Sequence, residues 1–321
     1  METQQLNPEA SSKVLERLRG KHVLITGTTG FLGKVVLEKL IRAVPDIGGI
    51  HLLIRGNKRH PDARDRFFEE IATSSVFDRL RQDDNEAFET FIEDRVHCVT
   101  GEVTEPLFGL SADRFRKLAG GIDVVVNSAA SVNFREELDK ALAINTRCLD
   151  NVAELARQNK SLAVLQVSTC YVNGMNSGQI TETVIKPAGE AIPRSTEGYY
   201  EIEELVRLLE DKIADVRSRY SGKALEKKLV DLGIREANHY GWSDTYTFTK
   251  EEKDLATNHP LTVEQMEKCY KAKYKNAKDE EASGVFCESN NSDGGGGEDD
   301  GAGEAAAASA GGGSGNAGAA Q

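Results

Sequence analysis

A doubly wound α/β fold, a parallel sheet with helices on both faces, is what this sequence predicts. Two patterns carry that expectation. Five short apolar runs of strand length recur between residues 21 and 170, and segments with helical spacing separate them. The runs are continuous in Val, Ile and Leu rather than alternating with polar residues, as strands covered on both faces must be.

The elements follow in order. Residues 1–20 form a polar N-terminal segment with one amphipathic stretch, "SSKVLERLRG". "HVLITG" is the first strand, and "TTGFLGKVVLEKLIRAV" follows it with Val36, Leu40, Ile41 and Val44 at helical spacing; Pro45 stops that helix. "IHLLIR", "RVHCVTGEV", "IDVVVNSAA" and "LAVLQVSTC" supply four more strands. Residues 176–240 break the alternation and predict a mainly helical insertion. In it Ile202, Leu205, Val206, Leu209, Ile213, Val216 and Tyr220 share one helix face, and Leu225, Leu229 and Leu232 share another. The nucleotide-binding domain therefore comprises 21–175 and resumes over 241–256. Residues 257–288 hold one marginal helix, "LTVEQMEKCYKAKYKNAK", opened by a Thr262/Gln265 capping box.

Composition marks off the end of the chain. The hydrophobic fraction is 39% and mean hydropathy −0.44, and many of the 30 glycines lie in 289–321. That stretch has no aromatic or branched apolar residue, so it cannot bury enough surface to offset its ordering entropy and reads as a disordered tail. The formal charge of −12 belongs mostly to residues 251–321, where acids outnumber bases 14 to 6. Elsewhere bases and acids are interspersed, which excludes a nucleic-acid footprint. The five cysteines show no metal-ligand spacing, and neither a signal peptide nor a membrane-length apolar run is present. A cytoplasmic, reduced protein without a transmembrane segment or a metal is the expectation.

"TGTTGFLG" places Gly27, Gly30 and Gly33 directly after a strand and at the opening of a helix. The first glycine permits the tight turn, the second lets a pyrophosphate approach the backbone, and the third allows helix–strand packing. The helix N-terminus offers unpaired N–H groups to the phosphates. Strand, turn and helix together make this a dinucleotide-binding site of Rossmann type. Where an NAD site carries an acid after its second strand, this chain has Arg55, with Lys58 and Arg59 behind it. That suits a 2′-phosphate, so the expected cofactor is NADPH.

Tyr246 and Lys250 stand four apart and share a helix face. An ammonium beside a phenol lowers the phenol pKa from about 10 toward neutrality. Such a pair can pass a proton at a carbonyl or hydroxyl oxygen while hydride moves. Thr169 adds a hydroxyl at the end of the fifth strand, where crevice residues of doubly wound sheets lie.

"TGTTGFLG", "NSAASVNF", "VSTCYVNG" and "YTFTK" together resemble the extended branch of the short-chain dehydrogenase/reductase superfamily. More narrowly, "SAASVNFREELDKALAINT" and the insertion before the Tyr/Lys pair are similar to the alcohol-forming fatty acyl-CoA reductases, over roughly residues 12–250. The resemblance implies that Gly27, Thr29, Gly30, Phe31, Leu32 and Gly33 hold the pyrophosphate. It assigns Arg55 and Arg66 to the 2′-phosphate, Glu102 and Val103 to the adenine, and Ala129 and Ala130 to the cofactor ribose. It makes Asn145 a water-mediated support of the catalytic lysine, and Thr169, Tyr246 and Lys250 the catalytic set, with Tyr246 and Lys250 also touching the cofactor. The implied reaction is reduction of a long-chain acyl-CoA by NADPH, through a fatty aldehyde, to the alcohol.

After Lys250 the resemblance ends. The strands and the acyl-binding region that the family places there are not legible, which would leave "LAVLQVS" as an exposed sheet edge. A truncated or altered C-terminal form, impaired in turnover, is the expectation. Two readings stay open at this point: an NADPH-dependent acyl-CoA reductase, and an NADP(H)-binding module without turnover. An epimerase or dehydratase of the same superfamily fits the hydroxyl, Tyr and Lys but not the insertion.

Overall fold

The computed structural model describes residues 8–179, 189, 192, 194 and 201–250. Helix α1 (Pro8–Leu18) leads into strand β1 (His22–Thr26), helix α2 (Phe31–Ala43) and strand β2 (Gly49–Ile54). A short helix α3 (Ala63–Arg66) and a π-helical turn (Phe67–Ile71) precede α4 (Asp78–Arg95) and β3 (Val96–Thr100). Then come α5 (Ala112–Gly121), β4 (Val124–Asn127), α6 (Leu138–Leu142), α7 (Cys148–Gln158) and β5 (Ala163–Gln166). Helices α8 (Ile202–Arg219) and α9 (Gly222–Tyr240) follow, and residues 245–250 are helical.

The five strands form one parallel sheet in the order β3-β2-β1-β4-β5. β1 lies at its centre, with Val23 facing Ile50 on one side and Val124 on the other. Four of the strands fall within the runs read from the sequence, and β2 starts one residue before its run, at Gly49. The chain leaves β1 and β4 toward opposite halves of the sheet, which opens a crevice above their C-terminal ends.

Side chains of successive strand residues point to opposite faces, and each face has its own core. Val23, Ile25, Ile50, Leu52 and Ile54 meet Leu37 and Ile41 of α2 and Phe88 and Ile92 of α4. On the other face Leu24, Leu53 and Val125 meet Phe115 of α5 and Val152 and Leu155 of α7. Each such side chain contributes about 1.5–3 kcal/mol by leaving water. A third cluster joins Leu138 and Leu142 of α6 to Leu205, Leu209 and Ile213 of α8, Leu229 and Leu232 of α9, and Trp242 and Phe248.

One detail departs from the sequence reading. α8 ends at Arg219, so Tyr220 leaves the apolar face and is exposed. α4 is interrupted at Asp84, whose extended backbone breaks the helical run. β5 pairs with β4 and, among the described residues, has no strand on its other side. The expected helix within 257–288 and the tail at 289–321 lie outside the described residues.

Candidate active site

The glycine loop sits between β1 and α2. Gly27 has φ +78°, in the region that glycine alone enters readily, and a Cβ there would lie 2.8 Å from the Ala129 backbone nitrogen. A Cβ on Gly33 would lie 2.4 Å from the Gly27 carbonyl oxygen, so α2 starts flush against the turn. Gly30 caps the helix without a side-chain bond, and its first turn has no acid. Its leading N–H groups therefore keep their affinity for anions. Thr29, Gly30, Phe31 and Leu32 all face outward; Phe31 is 79% exposed. Beneath them the Thr28 hydroxyl is buried and has no hydrogen-bond partner among the described residues. Cradle, open helix end and orphaned hydroxyl together fit the pyrophosphate of a dinucleotide.

A polar row supports this loop. The Thr26 hydroxyl donates to Asn127 Oδ1 at 2.6 Å and accepts from the Ala129 backbone N–H at 3.1 Å. Asn127 Nδ2 in turn donates to Gln166 Oε1 at 2.8 Å. These residues end β1, β4 and β5 in register, and they fix Ala129 and Ala130 at the mouth of the crevice. The sequence reading passed over them; their signal is one polar residue closing each of three apolar runs.

At the far side of the crevice, Arg55 follows β2 and Glu102 follows β3. They form an ion pair, Arg55 Nη1 to Glu102 Oε2, at 3.2 Å. Arg66 donates from Nη1 to the Arg55 carbonyl at 2.5 Å and from Nε to Glu70 at 2.8 Å. Arg66 thus braces the backbone of Arg55, a link that the sequence reading did not contain. The Arg66 guanidinium and an Asn57 side-chain bond hold the Glu70 carboxyl below its usual range. Val103 is buried, and its carbonyl accepts from Asn151 Nδ2 at 3.0 Å.

The helical segment 245–250 carries the Tyr/Lys pair against the end of β5. Lys250 is 2% exposed, and its ammonium donates to the Val167 carbonyl at 3.2 Å. Thr169 stands two residues further on, where its hydroxyl accepts from the Tyr171 N–H at 3.3 Å and caps a short turn. Lys250 and Thr169 are thereby brought to one strand end. Tyr246 is buried along its ring, which meets Phe134 edge to face at 5.4 Å; Phe134 also meets Tyr171 at 6.3 Å. No hydrogen bond joins Thr169 to Tyr246 among the described residues.

Asn145 lies in a π-helical turn between α6 and α7 and is wholly buried. Its amide donates to the Thr249 hydroxyl at 3.0 Å and to the Ser131 carbonyl at 3.2 Å, and its oxygen accepts from the Ser131 N–H at 3.0 Å. It therefore reaches the neighbour of Lys250 directly. Thr249, Ser131 and Phe134 lie inside the quoted motifs "YTFTK" and "NSAASVNF", but the sequence reading gave them no role and no periodicity points to one. The grooves along α4, lined by residues such as Phe68, Phe88 and Phe91, lie on an element that carries none of these residues. No helix among the described residues is long and apolar enough to cross a membrane, and no group of three metal-ligating side chains occurs among them.

This arrangement can hold a dinucleotide along the strand ends and present hydroxyl and ammonium groups to a carbonyl beside it. Comparison with known proteins bears on that capacity. The NAD-binding family model described as male sterility protein matches residues 25–258. The chain is 36% identical over 248 residues to fatty acyl-CoA reductase 2, chloroplastic, of Arabidopsis thaliana, covering 76% of this chain and 40% of that protein. To the alcohol-forming fatty acyl-CoA reductase of Simmondsia chinensis it is 34% identical over 247 residues, covering 75% of this chain and 49% of that protein. The chain thus spans half or less of the length of these relatives. A thiolation-reductase di-domain from an archaeal non-ribosomal peptide synthetase is 21% identical, covers 82% of this chain and 44% of its own, and has a TM-score of 0.43.

Proposed function

Because this chain belongs to the male sterility protein family, whose NAD-binding model spans most of it, we propose that it binds NADPH and reduces a long-chain acyl-CoA thioester, through the aldehyde, to the alcohol. The observation that carries the reading is the buried Lys250 ammonium on the Val167 carbonyl. It holds the Tyr246 helix at the end of the strand that leads to Thr169.

The bound nicotinamide supplies the hydride. The loop from Gly27 to Gly33 takes the pyrophosphate on its open N–H groups, with Ala129 and Ala130 along the ribose. Arg55 takes the 2′-phosphate, backed by Arg66, with Glu102 and Val103 beside the adenine. The hydroxyls of Thr169 and Tyr246 donate to the carbonyl oxygen as negative charge gathers on it, and Tyr246 delivers the proton. Lys250 orients the phenol and the cofactor ribose, and Asn145 holds the backbone of the lysine's helix through Thr249. In the first reduction the oxyanion held by these hydroxyls collapses to the aldehyde as the C–S bond breaks, the proton going to the departing CoA sulfur. In the second, the same residues hold the aldehyde oxygen and Tyr246 protonates the resulting alkoxide to the alcohol. A cytoplasmic location completes the proposal.

A second reading is an NADP(H)-binding module without turnover, in keeping with a family match whose model is an NAD-binding one over residues 25–258. One experiment separates the two. NADPH binding is followed by fluorescence, then NADPH oxidation is measured with a long-chain acyl-CoA and with a fatty aldehyde, beside Tyr246→Phe. The reductase reading expects oxidation that falls at least about 100-fold in the variant while NADPH still binds. Binding without oxidation would leave the module reading, and no binding would remove both.

A further inference from the structure

We propose that Glu102 competes with the cofactor 2′-phosphate for Arg55 and so sets the choice between NADPH and NADH. The inference rests on the reading above that a nicotinamide cofactor binds at these strand ends.

The ends of β2 and β3 are locked together. Ile54 pairs with Thr100, and the Gly101 N–H donates to the Ile54 carbonyl at 3.2 Å. Arg55 and Glu102 therefore emerge side by side. They differ in freedom. The Glu102 side chain is 21% exposed and its backbone N–H is tied to the Phe108 carbonyl at 3.0 Å, whereas the Arg55 side chain is 67% exposed. Glu102 is the fixed member and Arg55 the movable one.

Arg66 is less able than Arg55 to meet a phosphate, because two of its three guanidinium nitrogens already donate elsewhere. Its guanidinium already spans the Arg55 carbonyl and Glu70, and Glu70 is held from its other oxygen by Asn57 Nδ2 at 2.7 Å. A dianion arriving at this corner must draw Arg55 off the Glu102 carboxylate, and then stand near that carboxylate. Both effects weaken the hold on a 2′-phosphate. A 2′-hydroxyl meets the opposite situation, because Glu102 is an acceptor for it and Arg55 need not move. Lys58 and Arg59, in the turn closed by the Asn57 side chain, are exposed and add only diffuse positive charge.

The test titrates wild type, Glu102→Gln, Arg55→Gln and the double variant with NADPH and NADH by fluorescence, and with 2′,5′-ADP and 5′-AMP by competition. Glu102→Gln is expected to tighten NADPH and 2′,5′-ADP about three- to fivefold, the size of a partly exposed ion pair. NADH and 5′-AMP should bind no tighter. The gain should vanish in the Arg55→Gln background. An unchanged or weaker NADPH affinity in Glu102→Gln would overturn the inference while leaving the cofactor site intact, as would a gain that persists without Arg55. Equal loosening of both cofactors would overturn it too and mark the pair as a brace between loops. Wild type that binds neither cofactor would overturn the reading of the site and this inference with it.

Discussion

Asn145 donates a 3.0 Å hydrogen bond to the Thr249 hydroxyl and so joins residues 104 positions apart. The bond fastens the turn between α6 and α7 to the helical segment carrying Tyr246 and Lys250, and through its Ser131 bonds Asn145 ties in the loop after β4 as well. Thr249→Val would leave the Asn145 amide with the Ser131 carbonyl alone. We expect a loss of about 1–2 kcal/mol in urea unfolding, with Thr249→Ser restoring most of it. Equal stability of the Val and wild-type proteins would show the bond to be dispensable.

Trp242 performs a similar service on the other side of the site. Its indole N–H donates to the Val172 carbonyl at 2.8 Å from a fully buried position, and the Met175 N–H donates to the Gly241 carbonyl at 2.8 Å. Together they clamp the turn that begins at Thr169. Trp242→Phe keeps an aromatic ring but loses part of the buried indole and leaves the Val172 carbonyl without this donor, at a cost of at least about 1–3 kcal/mol. Hydrogen exchange should then rise in residues 170–175 before it rises in the sheet.

Gly33→Ala is a sharper test of the glycine loop. Its Cβ would lie 2.4 Å from the Gly27 carbonyl oxygen and 2.7 Å from the Thr28 Cα, both backbone-defined positions that cannot rotate away. A shift of α2 is the only relief. Loss of about 1–3 kcal/mol is expected, as for other overpacked sites, and NADPH affinity should fall with it. A variant with wild-type unfolding and affinity would contradict the packing described for this turn.

Histidines line one row of the sheet. His22 Nδ1 and His51 Nε2 are 3.3 Å apart, and the His51 and His97 rings lie 5.0 Å from one another. Burial, with His97 and His22 adding to it, lowers the His51 pKa from 6.5 to about 4. The unfolded chain therefore takes up this proton first as pH falls. Stability from neutral His51 is complete above pH 6.5 and declines from there toward pH 4. The difference in urea midpoint between wild type and His51→Gln should shift in favour of the variant across that window. A difference that stays constant with pH would contradict it.

Much of the scaffold was legible because the central strands β1 and β2 are largely buried on both faces and read as apolar runs, while β3, β4 and β5, less fully buried, keep enough Val, Leu and Ile to read the same way. The glycine loop was legible because its demands are steric and local. The supports of the site were not. Thr26, Asn127 and Gln166 are single polar residues at the ends of apolar runs, and only register brings them into one row. Asn145 and Thr249 meet through tertiary packing that no spacing encodes. Arg66 is a mixed case: its i,i+4 partner Glu70 could have been read from the sequence, but its bond to the Arg55 carbonyl could not. Tyr220 shows the opposite error, in which helical spacing continued one position past the last residue of α8.

The central place of β1 also has a consequence in time. Its pairing with β4 joins Thr26 to Asn127, which lie 101 residues apart. A hairpin can form as soon as its turn is made, but this pairing must await the closure of a long loop, and distant pairings of this kind slow folding. β1 can dock on β2 well before β4 arrives, with its second edge open in the interval. Refolding from urea should therefore be slow and concentration-sensitive, with aggregation competing until β4 closes on β1.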